Sequence, residues 1–338
     1  MTHEIKQLFH TLKNWQQQGE KAVFVSVVAL DGSSYRRPGV RMIINDSGEM
    51  AGAVSGGCVE KEIERQAQSV FRTGIAKLIS YDGRLRIGCE GIIYMLIEPA
   101  YLSEELLNAF DSLLKKRQPF KMETYYQLTI GETATAGTLI HFPGRVFPLN
   151  PAFNSNQAEK QACFAQHFEP LFQLYIFGAE HDAVHLSQAA NLLGWEVTIV
   201  ASADEPKSCD YFPGADSLIT PAFDAIGKLV LDEQTAVVLM THSFNKDVQY
   251  LLALKNIHPA YLGMIGSIKR RERVLSMLMD YDPEISPEFL DLIHGPAGIN
   301  IGAESASEIA VSILAEILSV IRHQKPIALR EKVGSIHG

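Results

Sequence analysis

Leu174–Ala201 reads LYIFGAEHDAVHLSQAANLLGWEVTIVA, and this stretch decides the fold of the C-terminal half. Leu174–Phe177 is a short apolar run of strand type, Asp182–Leu193 has the spacing of a helix, and Glu196–Ala201 is again a strand. Further strands are expected at Ala236–Met240 and Ala260–Ile265, each followed by a helical pattern. The last long helix is expected over Ser305–Ile321, with Ile309, Ile313, Leu314, Ile317 and Val320 on one face. Strands that alternate with helices predict a parallel sheet covered on both sides. The join between the first strand and its helix, Phe177-Gly178-Ala179-Glu180-His181-Asp182-Ala183, sits where a dinucleotide fold keeps its G-x-G-x-x-G/A loop. Gly178 and Ala183 fill the first and third places, but Glu180 stands where the second glycine lets backbone approach a pyrophosphate. A carboxylate there repels a diphosphate. The second strand ends in Ala201-Ser202 without the usual acidic residue, and Asp204 and Glu205 follow shortly after.

The N-terminal half has a different rhythm. Ile5, Leu8, Phe9, Leu12 and Trp15 mark a helix that Gly19 stops. Ala22–Leu30, Val40–Asn45 and Glu49–Val54 read as strands, Cys58–Arg72 as a helix closed by Gly74, and Ala76–Tyr81 and Gly91–Glu98 as two more strands. Ser103–Lys116 reads as a helix with Ser103 at its N-cap. Lys121–Ile130 and Thr135–His141 look like a hairpin around Gly131, and the proline- and asparagine-bearing stretch 143–161 like a linker. The expected division is residues 1–100 as an N-terminal α/β domain, 101–170 as connecting helix, hairpin and linker, and 171–338 as a Rossmann-like domain with a doubly wound parallel sheet.

Composition narrows the function. The chain has 338 residues, enough for about two domains at ~150 residues each. Thirty Lys and Arg stand against 39 Asp and Glu, a net charge of −9, so nucleic acid and anionic membranes are poor partners. The apolar runs fall short of the ~18 residues of a membrane helix. The start, MTHEIKQLFHTLKNW, has neither basic region nor apolar core, so no signal peptide is expected. The four cysteines, Cys58, Cys89, Cys163 and Cys209, are widely spaced and form no zinc framework; free thiols in a reducing cytoplasm are the expectation.

Several loops carry candidate chemistry. Ser55-Gly56-Gly57-Cys58-Val59-Glu60 links a strand to a helix, where backbone N–H groups favour anions and a first-turn cysteine favours thiolate. Its plainer reading is a Ser55 cap and a small buried cysteine. Asp31–Gly39 (DGSSYRRPG), with Ser33, Ser34, Arg36, Arg37 and nearby Arg41, suits capture of an anion, or is a solvated hairpin loop. Ile87–Gly91 offers a second thiol, Cys89, with packing as its alternative. His181 and His185 lie one helical turn apart but lack a third metal ligand in register. Thr241-His242-Ser243 follows a strand at the edge where doubly wound sheets place ligands, and no G-x-S-x-G accompanies it. Gly266-Ser267 ends another strand beside Lys269, Arg270, Arg271 and Arg273, which form either a solvated helix face or an anion site.

Taken together these blocks resemble the XdhC/CoxI family. The N-terminal resemblance rests on GSSYRRPGVRM (Gly32–Met42) and GAVSGGCVEKEI (Gly52–Ile63). The C-terminal one rests on IFGAEHDA (Ile176–Ala183), VVLMTHSFNKD (Val237–Asp247), AYLGMIGSIKRRER (Ala260–Arg273) and HGPAGINIGAESASEIAVSILAEIL (His294–Leu318). The resemblance implies an N-terminal XdhC/CoxI domain joined to a C-terminal Rossmann domain. It implies a non-catalytic accessory protein that binds molybdenum cofactor, a pyranopterin, supports its sulfuration with a cysteine desulfurase, and passes it to a xanthine dehydrogenase-type molybdenum hydroxylase. It further implies a homodimer. The ligand-site reading then falls on Ser55, Gly56, Gly57, Cys58 and Glu60 and on the arginine loop. Cys58, with Cys89 beside it as a second candidate, would face molybdenum or the sulfur being installed. Gly178, His181, His242, Gly266 and Ser267 are the candidates in the C-terminal half. Against the family's usual pattern, Glu180 replaces a glycine, Ala201 an acidic strand end, and Glu90 the middle glycine after Cys89. The competing expectation is an NAD(P)-dependent oxidoreductase built on the C-terminal sheet.

Overall fold

The computed structural model describes residues 1–32, 37–55, 57–85, 91–154, 156 and 161–333. The chain forms two compact units, Met1–Pro170 and Leu171–Gly338.

The first unit begins with α1 (Thr2–Gln17), whose Ile5, Leu8, Phe9, Leu12 and Trp15 are all buried. Strands β1 (Ala22–Asp31), β2 (Arg41–Asn45), β3 (Met50–Gly52), β4 (Lys77–Asp82), β5 (Ile92–Ala100) and β7 (Gly131–Glu132) form one antiparallel sheet in the order β3-β2-β1-β5-β4-β7. Alternate side chains of a strand leave opposite faces. Val23, Val25, Val27, Met42, Ile44, Met95 and Ile97 pack with Val59, Ile63, Ala67 and Val70 of α2 (Cys58–Thr73). Ala22, Phe24 and Ile43 face the other way, into a core with α1 and α3 (Glu104–Lys115). That core also takes in a second antiparallel sheet, ordered β10-β6-β8-β9, from β6 (Phe120–Tyr126), β8 (Gly137–Phe142), β9 (Arg145–Pro148) and β10 (Ala162–Phe168). Phe110, Phe120, Phe142 and Phe168 meet there, the Phe120 and Phe168 rings stacked at 4.6 Å.

Three details of this unit differ from the sequence expectation. The stretch read as a linker contains β9, which pairs with β8 from Leu139↔Pro148 to Phe142↔Arg145. A short edge strand tolerates proline at its end, so Pro143 and Pro148 bracket the strand without breaking it. The first strand of the expected hairpin stops at Tyr126, and Gly131–Glu132 crosses to pair with Lys77 and Leu78 of β4. Strand β10, seven residues antiparallel to β6, has alternating burial but few residues of strong strand propensity, and sequence reading gave it no element.

The second unit is the parallel, doubly wound sheet that the sequence predicts. Its strands are β11 (Gln173–Phe177), β12 (Glu196–Val200), β13 (Ser217–Ile219), β14 (Thr235–Leu239), β15 (Tyr261–Met264) and β16 (Ile293–His294), in the order β13-β12-β11-β14-β15-β16. Helices α4 (His181–Leu192) and α9 (Ala306–Ile321) cover one face through Leu186, Ala190, Ile313 and Ile317. Helices α6 (Phe244–Leu254), α7 (Ile268–Tyr281) and α8 (Pro287–Leu292) cover the other with Leu251, Val274, Leu278 and Phe289, and the short α5 (Phe223–Ile226) contributes Ile226. The strand order reverses between β11 and β14, and a crevice opens there at the carboxyl ends of the strands. No helix among the described residues is long and apolar enough to cross a membrane.

Candidate functional site

Two places gather the residues singled out from sequence. In the first unit, β3 runs through Val54 and Ser55 into α2. The helix N-cap is Gly57, at φ +116°, rather than Ser55: a left-handed backbone that glycine adopts without strain closes the turn. The donors ahead of the helix converge on one acceptor. The Glu60 carboxylate accepts from the amides of Val54 (3.1 Å), Ser55 (2.6 Å) and Gly57 (2.9 Å) and from the Ser55 hydroxyl (2.5 Å). Burial by itself raises the Glu60 carboxyl, but the Ser55 hydroxyl and these amides outweigh it and hold the group below its ordinary value. The chain's own carboxylate thus takes the Ser55 and Gly57 N–H groups that the sequence reading offered to an external anion. Sequence reading placed Glu60 in the site but missed this role; the spacing Gly57-x-x-Glu60, an acid at the third helical position, was its signal.

Cys58 opens α2, at the positive end of a 16-residue helix. Its side chain lies outside the described residues, as do Ser33, Ser34, Arg36, Gly56 and Cys89. Arg37 is exposed in the turn before β2, its carbonyl accepting the Val40 amide.

Arg41 is not brought to the α2 loop. It alternates with Met42, which faces α2, and so leaves the opposite face of the sheet. There it is 7% exposed, lies 5.4 Å over the Phe168 ring, and donates from Nη1 to the Gly39 carbonyl (2.8 Å) and to Gln166 Oε1. Its Nε and Nη2 are buried without a hydrogen-bond partner among the described residues. Burial lowers its pKa to about 10, against the attraction of Glu98 and Glu4.

In the second unit the crevice measures about 500 Å³. Gly178 floors it at φ +129°, its N–H donating to the Val200 carbonyl (2.9 Å); a Cβ here would lie 2.8 Å from the Met240 carbonyl. Glu180 is the N-cap of α4 and makes no capping hydrogen bond. Ser202, Asp204, Glu205 and Lys207 come from the loop after β12, and Thr241, His242, Ser243 and Lys246 from the β14–α6 junction. Lys246 Nζ donates to Ser202 Oγ (2.8 Å), and Lys207 Nζ to Glu205 Oε1 (3.0 Å). Asp204 is held below its ordinary pKa by its own backbone amide, the Ser202 hydroxyl and Lys246. The Glu205 hydrogen bond raises Lys207, with a smaller push from Glu180.

Of the C-terminal candidates, Gly178 and His242 line the crevice; His181, Gly266 and Ser267 do not. His181 opens α4 and meets His185 edge-to-face at 5.1 Å. Ser267 caps α7, accepting from the Arg270 amide. Gly266 gives room to Arg270, whose Cδ would collide with a Cβ there. The basic cluster is largely spent inside the unit. Arg270 pairs with the buried Asp247 (2.5 Å) and donates to the Thr241 carbonyl (3.1 Å), Arg270 and Arg273 both lie over the Phe244 ring, and Arg271 donates to the Ile293 carbonyl. Sequence reading gave no role to Glu316 of α9, which accepts from Tyr261 Oη (2.5 Å), His294 Nδ1 (3.3 Å) and the Gly298 amide (2.7 Å). Among the described residues no three His, Cys, Asp or Glu side chains converge as a metal site.

Comparison with known proteins agrees with both halves. Residues 174–317 match the XdhC Rossmann domain, and residues 15–82 match the XdhC and CoxI family. A protein of Bacillus subtilis, named as a probable xanthine dehydrogenase subunit, is 29% identical over 92% of this chain and 96% of its own. The molybdenum cofactor insertion chaperone PaoD of Escherichia coli is 27% identical over 91% of this chain and 86% of its own. A crystal structure described as a xanthine dehydrogenase from Bacillus halodurans superposes with a TM-score of 0.76 at 25% identity, covering 94% of this chain and 96% of that one. With both halves matched and the likeness running nearly end to end, the chain belongs to the XdhC/CoxI family.

Proposed function

We propose that this protein is a molybdenum cofactor chaperone: it binds the cofactor, supports its sulfuration and delivers it to a xanthine dehydrogenase-type hydroxylase. The observation that carries the reading is the end-to-end likeness to the insertion chaperone PaoD, which covers both units rather than the Rossmann half alone. The B. subtilis relative, by its name part of a xanthine dehydrogenase, supports the same client class. The cofactor is cargo here. The residues that fit it are those at the start of α2: a thiol in the first helical turn is chemically suited to a soft metal or to a sulfur in transfer. Gly56 and Gly57, the two residues before it in sequence, carry no side chains. Arg36, Arg37 and the serines of residues 33–34 are the proposed anion partners for the pterin phosphate. Arg41 is not among them, because it is buried on the face away from α2. A cysteine desulfurase as sulfur donor, a homodimer and a cytoplasmic setting complete the proposal.

The rival, an NAD(P)-dependent oxidoreductase, has the sheet order in its favour, but Glu180 occupies the helix start on which a dinucleotide would rest its pyrophosphate. The test is direct. Wild type and Cys58→Ala are purified anaerobically from cofactor-producing cells, and bound molybdenum and pterin are quantified. The wild type is expected to carry both in equal amounts and to activate apo-hydroxylase. The variant is expected to retain at least fivefold less molybdenum and to lose activation in proportion. Equal retention and equal activation would remove Cys58 from the mechanism, and a wild type free of pterin would overturn the chaperone reading.

A further inference from the structure

The crevice of the second unit is not used by the proposed function, and its wall chemistry is unusual for its position. It lies at the strand-order reversal of a doubly wound sheet, and its volume of about 500 Å³ is that of a small-molecule site. Carboxylates at the end of the second strand are the customary acceptors for ribose hydroxyls in such sheets. Here Asp204 and Glu205 stand on that wall, four and five residues past the end of β12 at Val200. Its own backbone amide, the Ser202 hydroxyl and Lys246 favour the ionised form of Asp204, a hydrogen-bond acceptor.

The place for a diphosphate is built the other way. The amides at the start of α4 would hold phosphate oxygens, yet Glu180 sits at that N-cap with its carboxylate engaged in no capping hydrogen bond. The lysines offset it only in part, Lys207 being drawn to it more weakly than to Glu205. Lys207 is on Glu205, and Lys246 is on Ser202 beside Asp204. Three carboxylates, Glu180, Asp204 and Glu205, therefore face two ammonium groups, a balance of one negative charge among them. Gly178 must stay glycine because a side chain would strike the Met240 carbonyl, so the close backbone approach of a nucleotide fold is kept while the seat for its diphosphate is not.

We propose that this crevice is a nucleoside site: it takes the ribose hydroxyls of its ligand on the Asp204–Glu205 wall, and Glu180 turns away a 5′-diphosphate. This holds whether or not the first unit carries a pterin.

The experiment is calorimetric titration of the full-length protein with adenosine, cytidine, guanosine and uridine, with the 5′-diphosphate of each, and with NAD. At least one nucleoside is expected to bind tenfold or more tightly than its own 5′-diphosphate, a difference of about 1.4 kcal/mol. NAD is expected to bind no better than that diphosphate. Glu180→Gln, which keeps the shape and removes the charge, should narrow the gap at least threefold. Glu180→Gly, which also restores the second glycine, should abolish or reverse it, with nucleoside affinity unchanged within twofold. The 2′,3′-dideoxy analogue should bind at least fivefold more weakly than its parent. The proposal fails if no nucleoside binds, if a diphosphate or NAD binds wild type as tightly as the nucleoside, or if both Glu180 variants leave the ratio unchanged.

Discussion

Glu98 is the most heavily perturbed carboxyl whose position the fold fixes completely. It points from β5 away from α2, is fully buried, and accepts from the Thr138 amide (2.9 Å) and hydroxyl (2.5 Å). Burial pushes its pKa up to about 7, against the pull of Thr138 and of Arg41. A carboxyl raised in the folded state holds its proton longer than in the unfolded chain. Its contribution is therefore fully present below the ordinary carboxyl pKa and is lost as pH rises towards 7. Over that window the loss is up to about 3 kcal/mol. Glu98→Gln keeps an acceptor for Thr138 but cannot titrate, so it should be more destabilising at pH 5 than at pH 7.5 by an amount of that order, read from urea unfolding. An identical penalty at the two pH values would show that Glu98 does not titrate in this range. Arg41 shows what was and was not legible at this scale. The apolar run Met42-Ile43-Ile44 was readable as a strand, and strand geometry then sets Arg41 opposite Met42. Which face α2 would cover was not readable, because that depends on pairing between strands far apart in sequence. An arginine in a loop-rich neighbourhood consequently looked like an anion binder, whereas it lies under Phe168.

Helix α2 was predicted as Cys58–Arg72 and found as Cys58–Thr73, with Gly74 in the left-handed conformation at its end. Both ends were legible because glycine marks them for a stereochemical reason. The cap was read in part: the Ser55 hydroxyl does accept the Val59 amide (3.3 Å), but the N-cap residue is Gly57, and Glu60 from inside the helix takes the amides ahead of it. Glu60→Ala tests the assignment. It removes one charged acceptor from three amides and a hydroxyl, so an unfolding penalty of about 2 kcal/mol is expected. Hydrogen exchange at Val54, Ser55 and Gly57 should quicken at least tenfold, while exchange in the middle of α2 follows only the change in global stability. Unaltered exchange at those three amides would mean that the carboxylate is not their partner in solution. The consequence reaches the proposed site, because this cap sets the backbone that leads into Cys58. Strands β9 and β10 mark the opposite case, where sequence gave little or no signal. β9 is four residues ending in Pro148, and β10 (ACFAQHF) acquires its strand character from pairing with β6.

Across the whole chain, legibility follows the sequence distance over which each half makes its contacts. In the second unit β11 and β12, β14 and β15, and β15 and β16 are neighbours joined through covering helices, so apolar runs and helical periods spell out most of the sheet. The first unit closes through distant pairings. Lys77 meets Glu132, Phe120 meets Phe168, and the Thr2 hydroxyl donates to the Glu169 carbonyl (2.5 Å), none of which a local pattern announces. Those same pairings explain why residues 101–170 act as part of the first unit: α3, β6, β8, β9 and β10 share one core with α1, β1 and β2. Each unit also completes its cores from its own residues, since the clusters around Phe9, Val25 and Leu78 end before Pro170 and those around Ile176 and Phe177 begin after it. A unit that buries its own apolar surface has the main driving force for folding within itself. Residues 1–170 and 171–338 expressed as separate chains should therefore each give a single cooperative thermal transition by circular dichroism. A fragment 1–100 should not, because Phe24 and Ile43 would lose Phe110, Phe120 and Phe142 from the core beside them. A cooperative transition for 1–100, or its absence for either larger fragment, would place the boundary elsewhere.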